Sequence, residues 1–147
     1  MLRYNKLEHY SAHHDYFNPS EYASNKQMLS DIKHGARNRM ATVFFYLSDV
    51  TEGGETNFPR AGGLPQPYDF FDCSKGLSVK PADGKVIIFY SMHASGDMDP
   101  YSLHAGCDVI NGTKISANFW LWNQPYHFQS QERKTQFNTF KADTWRR

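Results

Sequence analysis

Apolar residues along this chain of 147 residues come in short bursts, not at helical spacing. The longest unbroken bursts, Val43-Phe44-Phe45-Tyr46-Leu47 and Val86-Ile87-Ile88-Phe89-Tyr90, are rich in β-branched and aromatic side chains, which fit a pleated, half-buried surface. With Gly, Pro and Asn as punctuation, the pattern predicts strands near residues 1–4, 9–16, 41–48, 56–59, 77–80, 85–91, 102–110 and 113–122. Short strands in this number predict an all-β class with minor α content, arranged as a double-stranded β-helix or jelly roll. Ser20 to Gly35 reads as a mobile loop with a helical turn, because Tyr22, Met28 and Ile32 are too loosely spaced for an amphipathic helix. Arg60 to Gly76 reads as a second long connection, packed down by Tyr68, Phe70 and Phe71. Residues 1–123 form the expected core, and residues 124–147 a polar extension of the same domain.

Composition narrows the function classes. Sixteen Lys and Arg against fifteen Asp and Glu leave a formal charge of +1, so there is no basic field to capture nucleic acid or an anionic membrane. No apolar run approaches the roughly twenty residues of a spanning helix. The start, Met1-Leu2-Arg3-Tyr4-Asn5-Lys6, lacks the apolar core of a secretory leader. Two cysteines are too few for a disulfide scaffold or a cysteine-based zinc module.

Chemistry concentrates at two places. His13-His14-Asp15 lies on a predicted strand, where positions i and i+2 share a face, so His13 and Asp15 point together. An imidazole and a carboxylate on one face make two-thirds of the 2-His-1-carboxylate triad that holds iron(II) with open positions. His104 is the histidine best placed to complete it. The stretch from Ser102 through Asn111-Gly112 to Trp122 reads as a hairpin. A three-residue loop with Gly112 left-handed would put His104, Lys114, Ser116, Asn118 and Trp120 on one polar face, with Cys107, Ile115, Ala117, Phe119 and Leu121 on the other. In that register Lys114 lies opposite Asp108, roughly 13 Å along from His104. A lysine stem and a short dicarboxylate chelated at His104 would together span that gap; a cross-strand ion pair between Lys114 and Asp108 is the alternative.

Taken together, these motifs closely resemble the prolyl 4-hydroxylase family of iron(II)- and 2-oxoglutarate-dependent dioxygenases, in its plant and algal form. The resemblance runs over most of residues 2–122. Its carriers are Tyr4 and Tyr10 leading into His13-His14-Asp15-Tyr16-Phe17, then Arg39 through Thr42 to Tyr46-Leu47-Ser48-Asp49-Val50, and Gly53-Gly54-Glu55-Thr56-Asn57-Phe58-Pro59. It continues through Gly76-Leu77-Ser78-Val79-Lys80-Pro81 and Asp99-Pro100 to His104-Ala105-Gly106-Cys107 and Lys114.

The resemblance implies hydroxylation of peptidyl proline at carbon 4, with 2-oxoglutarate converted to succinate and carbon dioxide. It implies iron bound by His13, Asp15 and His104, and the distal carboxylate of 2-oxoglutarate held by Lys114 with hydroxyls from Tyr4 and Thr56. Tyr10, Arg39 and Trp120 would line the peptide site, dioxygen would be the oxidant and ascorbate the reductant. A proline-rich segment suits an aromatic groove because its polyproline II form is already ordered. Segments 18–38 and 60–76 would be lids. Another substrate for the same oxygenase chemistry, or a peptide- or metal-binding module without turnover, are the alternatives.

This chain departs from the family pattern at Leu7-Glu8, at Asp108, at Ile115 and at Trp122, and Asp108 is expected to compete for Lys114. Elements that precede the first tyrosine in the family and support its barrel are expected to be missing here. The resemblance also implies a Cys73–Cys107 disulfide, and with it the endoplasmic reticulum or secretory pathway. Cys107 is not expected to be a metal ligand. Asn111-Gly112-Thr113 matches a glycosylation sequon.

Overall fold

The structure is a computed structural model and describes residues 1–125; most of the predicted polar extension, from residue 126 onward, lies outside the described residues. In chain order the strands are β1 (Leu2–Tyr4), β2 (Tyr10–His13), β3 (Arg39–Tyr46), β4 (Val50–Gly53) and β5 (Thr56–Phe58). They continue with β6 (Leu77–Val79), β7 (Val86–Tyr90), β8 (His104–Gly106), β9 (Val109–Gly112) and β10 (Lys114–Trp122). Two antiparallel sheets, ordered β1-β10-β3-β7 and β2-β8-β5-β6, face each other, and β4 pairs with β9 as a separate ribbon. Contacts between the sheets include the Tyr46 hydroxyl on Thr56 and the rings of Phe58 and Phe89. This is the expected jelly roll.

Alternation builds the larger sheet. Thr42, Phe44 and Tyr46 of β3 point inward and are buried, as are Lys114 and Ser116 of β10. The opposite face presents Val86, Ile88, Tyr90, Phe119 and Leu121, all exposed. The inner face is thus unusually polar and the outer one apolar, the reverse of an ordinary sheet with one face in water. The inward polar groups surround the cavity described below.

The expected hairpin from Ser102 to Trp122 does not form. Its first arm breaks at Cys107 and Asp108: β8 joins β2 and β5, whereas β9 turns away to pair with β4, a strand absent from the sequence reading. The break has a cause in the backbone. Cys107 donates its N–H to Glu55 O, and Gly54 donates to Asp108 O, so the partner of this segment is the Gly53-Gly54 corner and not β10. Gly53 has φ +77°, and a Cβ there would lie 2.3 Å from Asp108 O, so only glycine allows this close approach. β10 pairs instead with β1 and β3. The face assignment along β10 survives, because side-chain parity does not depend on which strand is the partner.

The 20–35 segment is helical over part of its length, with α1 at Lys26–Asp31 flanked by 3₁₀ turns at Pro19–Tyr22 and Lys33–Gly35. Asn18 and Asn25 each cap a start through their side-chain oxygen, and fully buried Ile32 anchors the end. The 60–76 connection is held differently from expectation. Tyr68 is fully exposed, and Phe70 and Phe71 are exposed as well. The segment is tied down by the Cys73–Cys107 disulfide, by the Asn57 amide donating to Lys75 O, and by Ala12 N–H donating to Phe70 O. Among the described residues, no helix is long and apolar enough to cross a membrane.

Candidate metal centre and cosubstrate pocket

Two register shifts assemble the centre. In β2 and β8, Tyr10 pairs with Gly106 but His13 pairs with His104, so one extra residue of β2 is accommodated between those pairs. Without that bulge Ala12 would oppose His104. With it the two imidazoles are cross-strand neighbours, their ring centroids 4.4 Å apart. Asp15 follows in the bend after β2 and is buried. Its Oδ1 lies 4.0 Å from His13 Nε2 and its Oδ2 lies 3.9 Å from His104 Nε2.

The histidine tautomers follow from their partners. His13 Nδ1 sits 2.8 Å from Ser11 O and His104 Nδ1 sits 2.9 Å from Ser102 O. A carbonyl only accepts, so each Nδ1 carries a proton, and in the singly protonated ring Nε2 is the lone-pair nitrogen, turned toward Asp15. Burial, with the His13 imidazole beside it, pushes His104 down to about 4, which keeps it neutral at ordinary pH. A first-row divalent ion bonds nitrogen or oxygen at about 2.1 Å, so two ligands at a right angle on it lie ~3 Å apart. The separations to Asp15, 4.0 and 3.9 Å, are about 1 Å wider than that, so the side chains would draw in around an ion, and one ligand atom from each of the three residues lies within 4.8 Å of the others. Two imidazoles and one carboxylate are the donor set of the facial triad, and these residue types fit iron(II).

Asp15 is itself held. Thr42 Oγ1 donates to its Oδ2 at 2.5 Å and Trp120 Nε1 donates to the same oxygen at 3.1 Å. Arg39 Nη1 is 3.6 Å from Oδ1. The guanidinium is stacked 3.6 Å over Trp120 and 4.4 Å from the centre of Phe17. Parity would turn Arg39 outward, since Ala41, Val43 and Phe45 alternate with the inward residues. A bulge between Leu121 and Trp122 sets Trp122 opposite Arg39 instead of Met40 and brings Arg39 to the inner face.

Lys114 is 2% exposed and lines the same cavity. Its ammonium is 5.5–5.7 Å from the rings of Tyr4, Phe44 and Tyr46. Burial pushes it down to about 8, with Glu55 opposing the shift. Asp108 is not its partner, contrary to both expectations placed on that pair: the carboxylate faces outward and takes His9 Nδ1 at 2.7 Å. Thr56 is buried and accepts from the Tyr46 hydroxyl at 2.8 Å. Tyr4, half-buried, is raised above its ordinary pKa by burial and then by Tyr10, so its phenol stays neutral.

The cavity of about 830 Å³ is lined by every site residue expected from the sequence: Tyr4, Tyr10, His13, Asp15, Arg39, Thr56, His104, Lys114 and Trp120. Glu21 and Tyr22 from the first long connection, and Gln66 and Phe70 from the second, reach its mouth. Tyr10 is half-exposed at the rim and meets His13 edge-on, ring centroids 4.3 Å apart. Cys107 is engaged in the disulfide and is not available as a ligand. Sequence reasoning gave no role to Thr42, Tyr46 or Asn118, which the structure puts at the centre, beside Lys114, and on the cavity wall. The available signal was a polar residue at an inward position of a strand. Asn118 Oδ1 is buried without a hydrogen-bond partner among the described residues.

Comparison with known proteins agrees with this arrangement. A family model described as the 2OG-Fe(II) oxygenase superfamily matches residues 1–122. Prolyl 4-hydroxylase 1 of Arabidopsis thaliana is 40% identical over 127 residues, covering 82% of this chain and 39% of that protein. Probable prolyl 4-hydroxylase 10 of the same plant is 44% identical over 126 residues, covering 82% and 40%. The chain therefore spans about two-fifths of the length of these curated relatives. Among solved structures, the 2OG complex of the viral collagen prolyl hydroxylase vCPH from Paramecium Bursaria Chlorella virus-1 superposes with a TM-score of 0.58 at 27% identity, over 82% of this chain and 54% of that one. With the facial donor set formed inside a jelly roll and the family model matched across it, this chain belongs to the 2OG-Fe(II) oxygenase superfamily.

Proposed function

We propose that the chain is the catalytic part of an iron(II)- and 2-oxoglutarate-dependent peptidyl-proline 4-hydroxylase. One observation carries the reading: two imidazoles whose Nε2 atoms face one buried carboxylate share a single cavity with a buried lysine that has no ion-pair contact among the described residues. His13, Asp15 and His104 would hold the metal, which when bound supplies activation of dioxygen and oxidative decarboxylation of the keto acid to succinate and carbon dioxide. Lys114 supplies the positive end for a distal carboxylate, and Thr56 and Tyr4 supply hydroxyls beside it. The rings of Tyr4, Phe44 and Tyr46 exclude water from that contact and so strengthen it.

At the mouth, Tyr10, Arg39 and Trp120 would receive the proline segment, helped by Phe17, Tyr22 and Phe70. Aromatic walls favour a preordered polyproline II ligand, and what these residues contribute is position and dryness. Ascorbate is the proposed reductant. The disulfide between Cys73 and Cys107 favours folding in an oxidising compartment, and we place the protein in the endoplasmic reticulum or secretory pathway.

The test is incubation of the protein with iron(II), ascorbate, 2-oxoglutarate and a proline-rich peptide. Succinate should form and the peptide should gain one oxygen atom at carbon 4 of proline, with His13→Ala and Lys114→Ala losing both products. Succinate formed without any oxidised peptide would refute proline as the substrate while keeping the oxygenase chemistry. No succinate under any of these conditions would refute the enzyme itself.

A further inference from the structure

Asp15 is a buried carboxylate with an asymmetric set of partners. Its Oδ2 accepts from Thr42 Oγ1 at 2.5 Å and from Trp120 Nε1 at 3.1 Å. A carboxylate oxygen has two lone pairs in its plane, and these two donors occupy both. Oδ1 has Arg39 Nη1 at 3.6 Å and His13 Nε2 at 4.0 Å, both too long for a hydrogen bond. The two donors also come as a matched pair, since Thr42 and Trp120 are directly opposed in the β3–β10 register. Their backbones are therefore fixed relative to each other by the sheet, and one oxygen is clamped from both strands at once.

We propose that Thr42 and Trp120 are positioning residues that clamp Oδ2 of Asp15 and leave Oδ1 as its one free oxygen, so that this side chain ligates a metal through a single atom. The inference rests on the metal-centre reading above and adds what decides how that carboxylate binds. Single-atom ligation by Asp15 leaves three of six positions open; a carboxylate free to rotate and chelate through both oxygens would consume one of them. Arg39 supports the device from the other side. Stacked on Trp120, it holds the indole in plane and keeps its N–H aimed at Oδ2.

A simpler role for the same contacts is to solvate a buried charge, which would affect folding alone. Three variants separate the two roles: Thr42→Val removes the hydroxyl at equal shape, Thr42→Ser restores it, and Trp120→Phe removes the N–H while keeping a ring against Arg39. The probe is Co(II) alone, followed by calorimetry and by its visible spectrum, which reports coordination number, with thermal melting in parallel. Loss of a group that orients a metal ligand typically weakens the metal by about 10–100-fold. Thr42→Val and Trp120→Phe should each show such weakening and an altered Co(II) spectrum, and Thr42→Ser should return both to the parent values. Should one variant fail to fold, the other gives the same measurement. Lower melting temperatures with unchanged Co(II) affinity and spectrum would overturn the proposal in favour of the solvating role. Absence of Co(II) binding in the unaltered protein, or binding that survives His13→Ala, would overturn the metal-centre reading itself and the proposal with it.

Discussion

Burying Lys114 with no carboxylate in ion-pair contact among the described residues, and only Glu55 attracting it from further off, carries a stability cost that can be read out by removing the charge. The ammonium is 2% exposed and its pKa falls from 10.5 to about 8. At ~1.36 kcal/mol for each tenfold change, keeping the proton at neutral pH costs the fold about 3 kcal/mol. The sign follows from proton counting. Between about pH 8 and 10.5 the unfolded chain holds more proton on this group than the folded one, so stability from Lys114 rises with pH across that window. Below pH 8 both states are protonated and the full cost is present. The neighbouring Tyr4 and Tyr46 do not supply an anion in this range, because burial raises both phenols above their ordinary value.

Methionine matches the lysine stem in shape without the charge. Lys114→Met should therefore be more stable than the parent at pH 7 by ~1–3 kcal/mol, a rise of several degrees in melting temperature. The advantage should shrink to nothing as pH approaches 10.5. Calorimetric melts of both proteins from pH 7 to 10, in the absence of keto acid, make the measurement. In the same series 2-oxoglutarate should raise the melting temperature of the parent and leave the variant unmoved. A variant less stable at pH 7, with a deficit independent of pH, would show that Lys114 is already compensated in the fold and would refute the reasoning.

The same lowered pKa predicts that affinity for 2-oxoglutarate is flat below about pH 8 and falls about tenfold from pH 7 to pH 9, measured calorimetrically with the metal in place; a flat profile to pH 9.5 would contradict it. Opening the Cys73–Cys107 bridge releases a loop closed across 34 residues and should cost about 3–4 kcal/mol, seen as a lower melting temperature in reductant that Cys73→Ser/Cys107→Ser reproduces without reductant. Gly53→Ala puts a methyl group 2.3 Å from Asp108 O at positive φ and should destabilise by ~1–3 kcal/mol in urea melts, whereas Gly62→Ala, with nothing within 4 Å, should cost less.

Local pattern alone disclosed much of this molecule. Alternating runs located β3, β7 and β10 to within two residues, because strand parity is a property of adjacent residues and needs no partner. The inward row of Lys114, Ser116, Asn118 and Trp120 follows from that parity, and the face held even though the hairpin meant to support it did not form. His13, Asp15, His104 and Lys114 were legible as a spaced set of residue types. What they share is one cavity, lined also by Tyr4, Tyr10, Arg39, Thr56 and Trp120.

Pairing and register were decided only in three dimensions. Asn111-Gly112 resembles a hairpin turn locally, but Glu55 and Gly54 capture the backbone at Cys107 and Asp108, and that competition is between segments some fifty residues apart. Asp108 consequently faces His9 and does not pair with Lys114. The bulge in β2 sets His13 opposite His104, and the bulge in β3 turns Arg39 inward against its parity. A bulge is one residue of slack between two backbones, and nothing in either strand read alone says where it falls. Thr42 shows the same division: its inward place is written in the alternation of β3, while its work on Asp15 exists only because Trp120 lies opposite it across the sheet.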